Sequence, residues 1–254
     1  MAWQTPKVDW AAADGVRDTD MNRIEGNILD LYNRRPIEAS IYLYVATTGS
    51  DTTGDGSQES PYATITKALS MVPANLNTYN AIIFIAAGTY TENIDVDGIT
   101  NGNVNFGNQS SGSIVINGNF YVNNCQSVIV SGFDNVTING RLNVENTTSF
   151  YSSSSVTIVD TVHAEALSAR CATAVFSGNL SVKSLSYGSG VLADTGSNIY
   201  VENLTVQSGT GIGAKADYGG QVKYGSITNN ATTKFATTRG GRIYTGAQNS
   251  MLNY

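Results

Sequence analysis

The chain has 254 residues, enough for one large β domain or two smaller ones with a substantial core. Only 13% of the residues are charged, against 26 Gly, 14 Tyr and an abundance of Asn, Ser and Thr, which is the profile of a β-rich, turn-rich protein and excludes a disordered chain or a helical enzyme. A net charge of −6 and a pI of about 4.7 argue against the clustered basic face that a nucleic-acid partner needs.

The amino-terminal MAWQTPKVDW has no apolar core of a signal peptide, and no stretch approaches the roughly 18 apolar residues of a membrane span, so synthesis in a cytoplasm without export signal or membrane insertion is expected. Residues 1–36 read as an attachment segment. In DTDMNRIEGNILDLYNRR, Met21, Ile24, Ile28 and Leu31 follow one another at spacings of three, four and three, a heptad stripe on a predicted helix. Asp18 or Thr19 caps its start and Pro36 lies beyond its end. So narrow a seam is marginal alone: the helix either docks on the rest of the chain or zips with copies of itself, and these four residues are the candidate oligomerisation set.

Residues 37–98 read as an entry module. Ile41–Val45 is a predicted strand, followed by a Gly, Ser and Asp loop and a short amphipathic helix over 63–71 that uses Ile65, Ala68, Leu69 and Val72, best read as a lid on one end of a β structure. The apolar run AIIFIAAGTY lacks alternation and predicts a strand covered on both faces. Asp51, Asp55 and Glu59 offer oxygen ligands of the kind Ca²⁺ takes, but without EF-hand spacing they read as a solvated loop, and no metal is expected.

Residues 99–254 repeat themselves. Rows starting at Leu180, Leu204 and Ile227 are 24 and 23 residues apart, and upstream Ile114, Val136 and Val156 open similar short strands at 22 and 20. A period in the low twenties marks stacked supersecondary units. Each row holds strands of three to five residues separated by Asn-Gly, Gly-Gly or Ser-Gly, which suits a parallel β-helix whose strands pair with those of the coils above and below. Ile116, Ile138, Val144, Ile158, Val182, Val206, Val222 and Ile243 are among the positions expected to face the core, and the glycines of Asn117-Gly118, Asn139-Gly140 and the Gly pairs are expected to supply φ > 0 corners.

The stretch YVATTGSDTTGDGSQESPYATITKAL, followed by AGTYTENI, resembles the opening of right-handed β-helix proteins of the pectin-lyase-like group, and implies a mainly β fold with a short N-terminal helix and a capping helix. TPKVDWAAADGVRDTDMNRIEGNI is similar to the start of tail or baseplate-associated structural proteins of phages and prophages of Gram-positive bacteria, and the C-terminal rows with Gly-Gly-Arg-Ile-Tyr resemble the shafts of such fibres. That resemblance implies a virion protein, commonly a homotrimer, fixed to other tail or baseplate proteins by its N-terminus and attaching the particle to host cell-wall polysaccharide.

The same fold hosts lyases and glycoside hydrolases, whose typical Asn-x-Asp, Asp-Asp, Gly-His-Gly and Arg-x-Lys signatures are missing here. Glu145 and Glu165, 20 apart, are the one pair placed to stack on adjacent coils, and solvated acids are the simpler reading. His163 and Glu165 have His-x-Glu spacing without a third ligand, and Cys125 and Cys171 read as two half-buried thiols. No catalytic residue and no cofactor is assigned. The candidate receptor surface is Tyr187, Tyr218, Tyr224 and Tyr244 with Arg239 and Arg242, interleaved with Lys215 and Lys223, because phenol rings with polar tips and neighbouring cations suit flat recognition of sugars. A polysaccharide depolymerase is the alternative, and a bacterial surface adhesin the third reading.

Overall fold

A computed structural model describes residues 18–34, 39–108, 111–160, 165–184, 189–208, 211–229, 231 and 233–245. The chain is mainly β, a right-handed parallel β-helix, and the described residues include two helices, α1 (Asp18–Arg34) and α2 (Ile65–Ser70).

Helix α1 forms where the heptad spacing predicts it. Its apolar seam is turned outward: Met21, Ile24 and Ile28 are exposed, whereas Asp20 and Asn27 on the polar flank are buried. The side chain of Leu31 lies outside the described residues.

The column has three faces. Face I begins with Ile41–Val45 and Asn80–Ile85 and ends with Arg242–Thr245; face II begins with Gly88–Tyr90 and Ile114–Ile116; face III runs from Ile94–Asp97 to Thr233–Thr237, six turns of the helix apart. All pairing is parallel and in long registers. Ile114, Val136, Val156, Leu180, Leu204 and Ile227 are successive Cα partners on face II, so the repeat read from the sequence is the rung spacing of the column. From Thr173–Ser184 onward, single long strands serve faces I and II together, with a register shift between Phe176 and Asn179 where the corner shrinks to a bulge.

Side-chain alternation fills the interior. Ile116, Ile138, Val144, Ile158, Val182, Val206 and Val222 are all buried, and Ile243 is half-buried in the last rung. Phe106, Phe120, Phe150 and Phe176 link the middle coils through ring contacts of 5.6, 6.4 and 5.7 Å. The run AIIFI is not covered on both faces. Ile82 and Phe84 point outward and are half-buried, with Tyr42 and Tyr44 stacked on Phe84, so aromatic cover on the outer surface replaces a second layer.

The abundance of Asn has a structural cause. Amide ladders join equivalent positions of adjacent coils: Asn103 donates to Asn80, Asn139 to Asn117 and Asn124 to Asp97, each at 2.8 Å. The glycines of Asn117-Gly118 and Asn139-Gly140 are needed for space rather than for positive φ. A Cβ on Gly118 would sit 2.1 Å from the Glu92 carbonyl oxygen, and one on Gly140 2.4 Å from that of Gly118.

Helix α2 closes the first coil, burying Ile65, Ala68 and Leu69. Its amino end is held by two carboxylates from distant segments. Asp51 accepts from the Ala63 amide (2.8 Å), the Thr64 amide (3.0 Å) and the Thr64 hydroxyl (2.7 Å); Glu92 accepts from the Ile65 amide (2.9 Å), the Thr66 amide (2.8 Å) and the Thr66 hydroxyl (2.6 Å). Asp51 is therefore a clamp and not an open cation ligand, and Asp55 accepts from the Ser57 amide. Desolvation raises the Asp51 carboxyl, but the hydrogen bonds from Thr64 and Ala63, with the Lys67 charge, outweigh it and leave the group below its ordinary value.

A lowered folded-state pKa contributes stability that is complete above the unfolded carboxyl's range and is lost as pH falls through the folded value. Asp51→Ala is expected to cost about 1–3 kcal/mol at neutral pH. Thermal melts should show the difference from the natural chain narrowing below about pH 4, where both lack the charged clamp; a pH-independent difference would remove the assignment.

Candidate functional site

Every coil passes from face III to face I through one residue in the left-handed region. In chain order these are Gly98, Asn124, Asn146, Cys171, Thr195, Tyr218 and Arg239, the non-glycine members with φ of 43 to 53°. Asn tolerates this conformation because its short amide bonds locally, whereas Tyr and Arg adopt it seldom and at a cost. The last two described coils nonetheless place Tyr218 (φ 43°) and Arg239 (φ 47°) there. In each case two glycines follow with different duties. Gly219 and Gly240 take φ of 78 and 83°, and Gly220 and Gly241 leave room for the coil below, where a Cβ would lie 2.3 and 2.1 Å from the carbonyl oxygens of Ala193 and Ala216.

The stacked corners bring their side chains together. The Arg239 guanidinium lies over the Tyr218 ring at 4.3 Å, and the ring remains 52% exposed. Beneath them Asp217, 6% exposed, accepts from the Tyr218 amide at 2.9 Å and lies 3.3 Å from Lys215 Nζ and 3.6 Å from an Arg239 nitrogen. The Thr238 hydroxyl above all, then the Tyr218 amide and Lys215, hold the Asp217 carboxyl below its ordinary value against the opposing effect of desolvation. One coil earlier Arg170 and Asp194 make the same kind of pair at 3.5 Å. The acid is thus an internal counter-ion that orients two cations, and the outer surface of the corner is aromatic and cationic.

Face I continues from this corner. Arg242 donates to the Tyr244 hydroxyl at 3.4 Å, and Tyr244 is 39% exposed beside its Cα partner Lys223. Tyr218, Arg239, Arg242 and Tyr244 therefore share one edge of two successive coils. Tyr224 does not belong with them. It faces the core at 4% exposure, its ring stacked on Phe235 at 5.7 Å, because it occupies the inward column of Val201. Tyr187 lies outside the described residues.

The carboxylate pair suggested by sequence spacing does not form. Glu145 is the Cα partner of Arg170, which leaves Glu165 five positions along the strand, roughly 16 Å away. His163 lies outside the described residues, and among those described no three His, Cys, Asp or Glu converge as metal ligands. Of the thiols, Cys125 is buried and bonded to the Val96 and Asn123 carbonyls, while Cys171 is exposed at its corner. A cleft of about 300 Å³ lies between α2 and face III, floored by Leu69, Val72 and Ile99 and bordered by Asp95 and Asp97, two acids that sequence reading passed over.

Comparison with known proteins adds one match. A family described as a protein of unknown function, DUF1565, corresponds to residues 47–97, about a fifth of the chain. That stretch contains Asp51, α2 and Glu92, so the match coincides with the clamped end of the column. Neither a curated protein nor a solved structure matches the chain. The family match and the β-helix together are consistent with a surface, adhesin-like or polysaccharide-interacting protein.

Tyr218→Asn, which restores the residue type of the inner corners, is expected to hold or raise stability by up to about 1 kcal/mol. Tyr224→Ala should cost about 3–5 kcal/mol as a buried aromatic truncation. Denaturant melts of both variants check the contrast; equal losses would mean that the corner tyrosine is structural.

Proposed function

We propose that the chain is a non-enzymatic attachment protein, a tail-fibre or spike subunit of a phage or phage-tail-like particle that binds host cell-wall polysaccharide. The observation that carries this reading is the corner column. A position suited to Asn is occupied in the outermost described coils by Tyr218 and Arg239, which stack on each other in solvent and lie beside Arg242 and Tyr244. Strain accepted at an exposed position without core burial is a mark of function. The surface has the composition of a sugar platform: ring faces for C–H groups, cations and phenol oxygens for hydroxyls. At the other end, the exposed seam of Met21, Ile24 and Ile28 supports self-association as a homotrimer, with the N-terminal segment joined to other tail or baseplate proteins.

One observation favours polysaccharide cleavage as a second reading. Asp95 and Asp97 lie on the outer side of one strand, roughly 7 Å apart by strand geometry, which is the carboxylate separation of inverting glycosidases, and both border the cleft beneath α2.

The deciding experiment measures binding of the full chain to purified Gram-positive cell walls. Tyr218→Ala and Arg239→Ala are each expected to weaken it about ten-fold or more, with Ile24→Glu plus Ile28→Glu reducing the light-scattering mass from trimer to monomer. Unchanged binding by both corner variants removes the site, and sugar release abolished by Asp95→Asn would overturn the non-enzymatic reading.

A further inference from the structure

We propose that the polysaccharide lies lengthwise along face I as an extended β-1,4-linked chain, with every second sugar seated on one tyrosine of a single outward column. This rests on the glycan-attachment reading and extends its surface from the corner down the column. Register defines the track: Tyr151, Val175, Tyr200, Lys223 and Tyr244 are successive Cα partners on face I. Their strand neighbours Phe150, Ala174, Ile199, Val222 and Ile243 belong to the core or pack on it, so the column itself faces outward.

The tyrosines occupy alternate coils. Two strand spacings separate each from the next, roughly 9.5 Å. An extended β-1,4-linked chain turns alternate sugars over by about half a rotation, and its disaccharide repeat is close to that same length. The same face of every second ring therefore returns above each tyrosine. A chain with one-sugar periodicity, or a bent linkage, loses this register after the first contact.

The positions between the tyrosines fit the intervening sugars. Val175, only 8% exposed, makes an apolar floor between Tyr151 and Tyr200, and Lys223 offers a hydrogen-bond donor between Tyr200 and Tyr244. The ring tips are anchored from the side: the Tyr151 hydroxyl is bonded to that of Ser177 at 2.8 Å, and Arg242 donates to the Tyr244 hydroxyl. Rings held in this way present a flat apolar face with little side-chain entropy left to lose. The column contains no carboxylate and one cation, which suits a neutral polyol. Tyr218 and Arg239 adjoin the track at its Tyr244 end and are expected to bind the terminal sugars.

The test uses the full chain and β-1,4-linked N-acetylglucosamine oligomers of two, four and six units, titrated calorimetrically. Affinity is expected to rise about ten-fold with each added disaccharide. Tyr200→Ala should remove the gain of the longer oligomers, and Tyr200→Phe, which keeps the ring, should retain it. Oligomer binding without length dependence overturns the track while leaving the attachment reading in place. Binding to neither oligomers nor whole cell walls overturns both. A fall in light-scattering mass on Tyr200→Ala, with the melt unchanged, would make face I a contact between copies of the chain and overturn the track.

Discussion

No coil of this molecule completes its own hydrogen bonds. Each rung of the ladder is satisfied by backbone about one repeat away in sequence, as the successive partnership of Ile114, Val136, Val156 and Leu180 shows. Stability therefore comes from stacking. Inward side chains gain their burial only when the rungs above and below are in place. Two requirements follow: the corners must repeat closely enough to keep the register, and an end of the stack must be covered.

The amino end meets the second requirement with α2, whose apolar side closes the core while Asp51 and Glu92 take up its free amides. The clamp joins residues 13 and 27 positions apart and ties the entry loop to the first coil. This explains why the region with a family match is the end rather than the shaft. The shaft needs only alternation and small residues at close approaches, which many sequences satisfy, whereas the end needs particular polar partners.

The corners meet the first requirement and leave side chains spare. A left-handed residue at the exit from face III aims its side chain at solvent, where the core places no demand on it. In the middle coils that freedom is used for an amide ladder, as when Asn124 bonds Asp97. In the last described coils it is used for Tyr218 and Arg239, with Asp217 beneath them keeping the cations in place. Function on such a scaffold is written on the outer face, one residue per rung, so surface chemistry can vary without disturbing the interior.

Much of this was legible in the chain alone. The period of 20 to 24 residues implied stacked coils, and alternation identified the inward columns, because in a strand the side-chain period is two whatever the strand pairs with. The heptad spacing located α1 for a similar reason, since helical periodicity is local. Sequence spacing could not say which outward residues meet, because neighbours on the surface are partners in register and loop lengths between strands differ from coil to coil. Thus Glu145 faces Arg170 instead of Glu165, Tyr224 turns inward although Tyr244 is exposed, and Tyr151 and Tyr200 join one column only when strands 49 residues apart are stacked. Composition and periodicity determined the column and its core; only the tertiary register, set by backbone pairing between coils, decided which side chains share a surface.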